Sequence, residues 1–353
     1  MAAFLLTDSL INLLAPYVGG LVAQVIAYGV MSLVIVSLLM GVGGIMSFVL
    51  RKVMARVQTR LGPNRVGPFG LLQFLADAVK MIGKEPIRPA QTDKWAYELA
   101  PYLVIVPVML AFVPVPFGQG ILISDIRVGI LFIIAISAIA PLGEIIAGWA
   151  SNNKYSTYGA VRAASLDISY EVPMVLAAAS VILLAGTMST QGIIAKQQPL
   201  WYVFLQPIGA FVFFVTALAK AGVIPTDLGE SESELVAGYF TEYGGMKFGM
   251  MQMGVFVNIV FISMLTVILF FGGWSIPFVT SLSLLGANLL PLVSVNVFLA
   301  KTAVFVLLVL LTMFTLPRLR PDQFLSIGWK VLFPLALLNL VATAGIVFWL
   351  GSV

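Results

Sequence analysis

The 353-residue sequence contains no cysteine and no histidine. Their absence excludes disulfides, thiolate and imidazole metal ligands, histidine-ligated haem, and cysteine or histidine nucleophiles. Any redox chemistry linked to this protein therefore takes place on another chain or on a diffusible ligand. Charge is also scarce: 10% of residues are charged and 60% are apolar, against roughly 45–50% apolar in soluble domains. The first sixteen residues, Met1–Pro16, mix apolar side chains with Asp8, Ser9 and Asn12. They have no basic n-region and no small-residue cleavage site, so they read as a short interfacial helix rather than a signal peptide.

What is present is a series of apolar blocks, each near the ~20 residues a helix needs to cross the hydrocarbon core. They fall at about 22–50, 101–117, 128–150, 171–190, 201–222, 248–272, 289–316 and 331–350. The expectation is an all-α polytopic membrane protein, a single membrane domain over 1–353 with eight transmembrane helices and amphipathic interfacial pieces. The second block is short, and Pro101, Pro107, Pro114 and Pro116 are candidates to kink it. Loops 51–100, 151–170, 220–247 and 317–330 hold sixteen of the nineteen Lys and Arg. That asymmetry places them in the cytoplasm and both termini on the other side. The net charge of +4 thus follows from topology and gives no reason to invoke nucleic acid.

Loop 51–100 opens with Arg51, Lys52, Arg56 and Arg60 at helical spacing, which continues the first span beyond the apolar core. Gly62–Pro68 (GPNRVGP) then breaks the helix. Phe69, Leu72, Phe74, Leu75, Val79 and Ile82, set against Gln73, Asp77, Lys80 and Lys84, fit an amphipathic helix lying in the interface or under the bundle. Such a loop serves either as a solvated anchor or as the frame of a cavity mouth.

Loop 220–247 gathers Asp227, Glu230, Glu232, Glu234 and Glu242, five of the fifteen acids. Clustered negative charge between two spans is costly without a task or a partner. On a helix, Asp227, Glu230 and Glu234 would share one face, with Glu232 turned away. A helix start with Asp227 as N-cap and Glu230 at N3 accounts for two of these acids and leaves the rest to a hydrated acidic channel or a subunit contact. Glu171, preceded by Asp167 and Tyr170, stands at the head of the fourth block, where it could snorkel. Lys154 and Arg162 offset some of this acidity. Lys301, in the seventh block, should face the bundle interior or a water-filled cavity.

Three collinear segments carry a resemblance: GPNRVGPFGLLQFLADAVKMIGKE, GWASNNKYSTYGAVRAASLDISYEVP from Gly148, and ESESELVAGYFTEYGGMKF from Glu230. They resemble the quinone-pocket membrane subunit of respiratory complex I, the NuoH family of NADH-quinone oxidoreductases, and its equivalent in F420H2 dehydrogenases. The likeness also takes in Lys301 and the PRLRPDQ stretch from Pro317. The resemblance implies eight transmembrane helices at the joint between a peripheral electron-transfer arm and a membrane arm of small and antiporter-like subunits, in the cell membrane. It implies no cofactor on this chain, with quinone as the substrate of the complex and electrons delivered by an iron–sulfur cluster in a neighbouring subunit. On matching positions it implies quinone-tunnel roles for Arg56, Arg60, Arg65, Phe69, Lys154 and Arg162. It likewise implies proton-path roles for Asp167, Glu171, Asp227, Glu230, Glu232, Glu234 and Glu242.

This sequence also departs from the family pattern. Where the family reads AExxRxPFDLPE, it has AKAGVIPTDLGE, so Lys220 replaces an acid, Val223 a basic residue and Gly229 a proline. Leu50 and Val255 stand where acids are expected, Met313 where an Arg is expected, and Glu144 where an aliphatic residue is expected. Glu144 and Lys220 are therefore expected to be partners, since either charge alone in the membrane is costly, and coupling is expected to be altered. Two other functions fit more loosely: the equivalent anchor of a ferredoxin- or hydrogenase-linked complex, and a free-standing secondary transporter. Against the transporter, no inverted repeat or pair of interrupted helices is visible.

Overall fold

A bilayer leaves helices as the economical way for such blocks to satisfy their backbone polar groups, and helices are what form. The computed structural model describes residue 11 and residues 20–198, 200–276 and 290–351; the expected interfacial helix at Met1–Pro16 lies outside these but for residue 11. Among the described residues the helices are α1 (Gly20–Val57), α2 (Gln73–Gly83), α3 (Lys94–Ala111), α4 (Gly129–Ser137), α5 (Ala140–Ala150), α6 (Lys154–Ala185) and α7 (Thr190–Lys196). They continue with α8 (Tyr202–Leu205), α9 (Pro207–Lys220), α10 (Glu232–Leu235), α11 (Gly245–Phe270), α12 (Leu290–Thr315), α13 (Pro321–Ile327) and α14 (Phe333–Gly351). The protein is an all-α polytopic membrane protein.

Among the described residues seven segments are long and apolar enough to span, α4–α5 and α13–α14 each counting as one, and α9 is a shorter apolar helix. The fifth expected span, 201–222, is thus reduced to 14 residues, about 21 Å at ~1.5 Å per residue. Its start is set by Pro207 at the first turn and by Gln206. That side chain accepts from the Ser180 hydroxyl (2.9 Å) and donates to Ser180 O (3.1 Å) and Thr343 Oγ1 (3.0 Å), tying α6, α9 and α14 together.

A second difference matters more for function. The expected loop 151–170 is helical, because α6 runs unbroken for 32 residues and carries Lys154, Arg162, Asp167 and Glu171 on one rod. Asn153 caps its start by accepting from the Tyr155 N–H (3.0 Å), and Ala160, Ala163 and Ala164 favour the helix. Pro173 lies inside it. There Tyr170 OH donates to Phe324 O (2.8 Å) and Trp329 Nε1 donates to Ser169 Oγ (3.1 Å), bracing α6 against α13 and the π-turn Gly328–Leu332. Glu171 is therefore mid-helix and does not snorkel from a helix end.

Helix α11 is the centre of the bundle. Of its apolar window 78% is buried in the protein, against 28% for α1 and 17% for the α13–α14 segment, so those two face outward. In lipid, helices associate by close packing rather than by hydrophobic expulsion. Gly143 of α5 illustrates this, since a Cβ there would lie 2.8 Å from the Val104 N of α3.

Candidate functional site

Two cavities lie on opposite faces of α11. The first, of about 60 Å³, is the more polar of the two: Glu144 of α5, Asp167 of α6, Lys220 of α9, Asp227 and Glu230 of the following loop, Tyr239 and Asn258 of α11 line it together with apolar side chains such as Val104, Leu166 and Val255. A space of that size with charged groups in its wall holds about four waters at ~15 Å³ each. Lys220 is the pivot. Its side chain is 7% exposed, and its ammonium lies 3.5 Å from Glu171 Oε2 and 4.0 Å from Asp167 Oδ2. Asp167 and Glu171 are i and i+4 on α6, so they project from one face towards it. Asn258 Nδ2 donates to the main-chain O of Lys220 (2.8 Å), fixing the end of α9 to α11.

Glu144, the expected partner of Lys220, interacts with its charge across the cavity, and Lys220 has two nearer acids besides. Glu144 and Lys220 line the same cavity, but the acids within 4.0 Å of the Lys220 ammonium are Asp167 and Glu171. The reason is the continuity of α6, which carries two carboxylates to a depth that a loop would not reach. Val255, where an acid is expected, lines this cavity as an apolar wall.

The expected helix through Asp227, Glu230 and Glu234 is also absent. Only Glu232–Leu235 is helical, a single turn. The Thr226 hydroxyl bonds back to Leu218 O (3.1 Å) and Val223 O (2.6 Å), and the chain beyond it is irregular, with Gly229 against Ala163 of α6. Asp227 is drawn to Arg318, with Nη2 2.8 Å from Oδ2. Glu230 accepts from Tyr239 OH (3.3 Å) and Glu234 pairs with Arg162. Glu242 accepts from Asn153 Nδ2 (2.6 Å), while its main-chain O accepts from Tyr97 OH (2.7 Å). The side chain of Glu232 lies outside the described ones. Burial, together with the carboxyls of Glu144, Glu230, Asp167 and Asp227, pushes the Tyr239 phenol well above its usual value, so it stays a donor.

The loop is held by glycine contacts. A Cβ on Gly159 of α6 would meet Gly238 Cα at 2.6 Å and Gly229 O at 2.8 Å, and Gly238 is left-handed at φ 52. Such backbone-to-backbone approach admits no side chain. Gly229, where the family has proline, is thus part of the clasp.

The second cavity is apolar, about 260 Å³, and lies between α1, α2 and α11. Met40, Met81, Met246, Met253 and Phe256 contribute to its wall, with Arg51 and Asp77 as its charged members. Arg51 Nη2 lies 2.7 Å from Asp77 Oδ2, linking α1 to the amphipathic α2. A further space of about 290 Å³ adjoins it at Met81 and Phe248 and is bordered by Lys80 and Lys84. Of the residues singled out for a tunnel, Arg56, Arg60, Arg65, Phe69 and Lys154 are exposed and outside these cavities, and Arg162 holds Glu234. Sequence reasoning missed Arg51 and Asp77, whose signal was their position on two apolar-faced helices.

The Arg162–Glu234 pair is 32% and 48% exposed, and exposed pairs contribute about 0.2–1 kcal/mol. Arg162→Ala is therefore expected to lower the thermal midpoint of the assembled protein very little. A large loss would mean that the pair is buried beneath a partner.

The site is thus a central helix of a membrane-spanning bundle with a carboxyl-rich cavity on one face and an apolar cavity on the other. The NADH dehydrogenase family model matches residues 30–344, and the chain belongs to that family, the membrane subunits of complex I. It is accordingly a subunit of a multi-subunit oxidoreductase complex.

Proposed function

We propose that this chain is the quinone-access and coupling subunit of its complex, equivalent to the NuoH-type subunit of NADH-quinone oxidoreductases. One observation carries the reading: α11 separates the two cavities, with Gly249, Gln252, Met253 and Phe256 facing the apolar cavity and Gly254, Val255 and Asn258 facing the polar one. Methionine walls adapt to a flexible chain, which suits the isoprenoid tail of a quinone passing between α1, α2 and α11. Lys80 and Lys84 border the adjoining space where a polar headgroup would travel.

The polar cavity takes the coupling role. Glu144, Asp167, Glu171, Asp227 and Glu230 outnumber Lys220 and Arg318 around it, and a hydrated cluster with more carboxyls than cations can take up and release protons. Lys220 ties that exchange to the position of α6, because any change in charge on Glu171 or Asp167 changes its hold. No cofactor is assigned to this chain: quinone is the substrate, and electrons come from an iron–sulfur cluster on a peripheral subunit covering loop 51–100. Small and antiporter-like membrane subunits receive the coupled protons. The chain sits in the cell membrane with its basic loops in the cytoplasm and both termini outside, a placement the basic-residue distribution supports.

The test fills the apolar cavity. In the assembled complex, Met253→Trp is expected to raise KM for a long-tailed quinone about tenfold, a loss of ~1.4 kcal/mol in binding, with kcat and the KM for a short water-soluble quinone little changed. Equal kinetics for both quinones in the variant and the parent would remove the cavity from the quinone's route.

A further inference from the structure

At the end of α11 away from the acidic loop lies a second cation within the bundle, partly buried and with no role in the proposed coupling. Lys301 of α12 donates to three main-chain oxygens: Phe271 O (2.8 Å), Gly273 O (2.9 Å) and Ser275 O (2.5 Å). Its ammonium also lies 4.3 Å from the centroid of the Trp201 ring. Among the described residues no carboxylate comes within 4.0 Å of it, and the undescribed stretch 277–289 contains no acid. Among the described residues its charge is met by carbonyl dipoles and a π face.

The backbone builds this arrangement deliberately. A helix C-terminus presents carbonyls that lack intrahelical partners and carries partial negative charge. Here the Phe271 N–H closes on Val267 O (3.1 Å), and the Gly273 N–H also reaches back to Val267 O (3.0 Å). Gly272 and Gly273, at φ 67 and 54, turn the chain so that the carbonyls of residues 271, 273 and 275 converge on one point. Gln197 Nε2 takes Ile268 O (2.7 Å), so the remaining cage faces Lys301. Beside it, the hydroxyl of Ser275, itself 3% exposed, and Trp201 Nε1 are buried polar atoms without a hydrogen-bond partner among the described residues. Three convergent acceptors, a ring face and spare polar atoms make a receptor for a small cation that carries N–H bonds.

We propose that the carbonyls of Phe271, Gly273 and Ser275, beneath the face of Trp201, form a binding site for an ammonium-type monovalent cation, and that the Lys301 side chain is its built-in occupant. The tethered cation clasps the turn at 271–276 to α12 and to the segment leading into α8. The site is independent of the quinone reading: it lies at the other end of α11 and stands or falls on its own ligand chemistry.

Chemical rescue tests it in the assembled complex. Lys301→Ala empties the cage and is expected to lower the thermal midpoint by about 5 °C. Methylammonium and ammonium should restore most of that loss, methylammonium the better because its methyl group stands where Cε was. Tetramethylammonium at equal ionic strength, which has charge but no N–H, should restore nothing, and the parent should not respond to any of these salts. Where Lys301→Ala does not assemble, Lys301→Gln undergoes the same salt series, with a smaller loss and the same order of rescue expected. Unchanged stability of the variants, no rescue by either N–H cation, or equal rescue by tetramethylammonium would each overturn the assignment.

Discussion

Lys220→Met is expected to destabilise the assembled protein by about 3–5 kcal/mol, the usual consequence of removing one member of a buried ion pair. The substitution keeps the length and apolar stem of the side chain but leaves Glu171 and Asp167 facing each other and Glu144 without their cation. The penalty comes from unpaired carboxylates rather than lost packing, so it should be largely reversed by also removing their charge. Lys220→Met with Glu171→Gln should regain part of the loss, and adding Asp167→Asn most of it. Thermal midpoints of the single, double and triple variants provide the check. If Lys220→Met alone were as stable as the parent, or if the triple variant were no better than the single, the ion pairs would not be what holds α9 to α6.

Gly238→Ala has the next largest expected effect. A Cβ on Gly238 would overlap the Gly229 carbonyl oxygen, and its φ of 52 is left-handed. Overpacking adds about 2 kcal/mol and the left-handed backbone about 1 more. The loop has little other structure to resist: Glu232–Leu235 and Gly238–Phe240 are single turns. The expected result is release of residues 229–241 from α6, read as faster proteolysis within that stretch, with α6 itself intact. Gly159→Ala, approaching the same contact from the helix side at 2.6 Å from Gly238 Cα, should give the same cleavage pattern. Protection equal to the parent in both variants would contradict the clasp.

What could be read from the sequence was whatever depends on local pattern. The apolar blocks mark the spans, and the alternation of Leu72, Leu75, Val79 and Ile82 with Asp77 and Lys80 marks α2. The polar cluster was foreseen as a set of residues, including Asp167, Glu171, Lys220 and Glu144, but not as a set of pairs. Partner choice depended on α6 starting at Lys154, and the polar residues between 151 and 170 hid that helix because they read as a solvated connection, whereas the helix exposes Lys154 and Tyr158 but buries Ser156, Ser169 and Tyr170. The expected helix at Asp227 failed for a matching reason. Its capping pattern is a local signal, and it lost to two tertiary contacts, Asp227 with Arg318 and Gly238 with Gly159. The cage around Lys301 had no legible signature beyond one intramembrane lysine, because its acceptors are backbone carbonyls that any sequence possesses.

The departures from the family pattern take on a physical meaning in this light. With Lys220 beside Glu171 and Asp167, and Val255 as an apolar wall, the charge chain is arranged around a cation at the end of α9. Glu144 supplies a carboxyl from α5 on the same cavity. If the cavity has the proposed coupling role, Lys220, as the cation nearest Asp167 and Glu171, is the residue through which altered coupling would be expressed.

Whether α11 is the wall between an oily compartment and a watery one is tested most directly by photolabelling the assembled complex with a long-tailed quinone analogue. Label is predicted on Met246, Gln252 and Met253, which line the apolar cavity, and not on Val255 or Asn258, which line the polar one. Label on Val255 and Asn258, or only on the outward faces of α1 and α14, would contradict it.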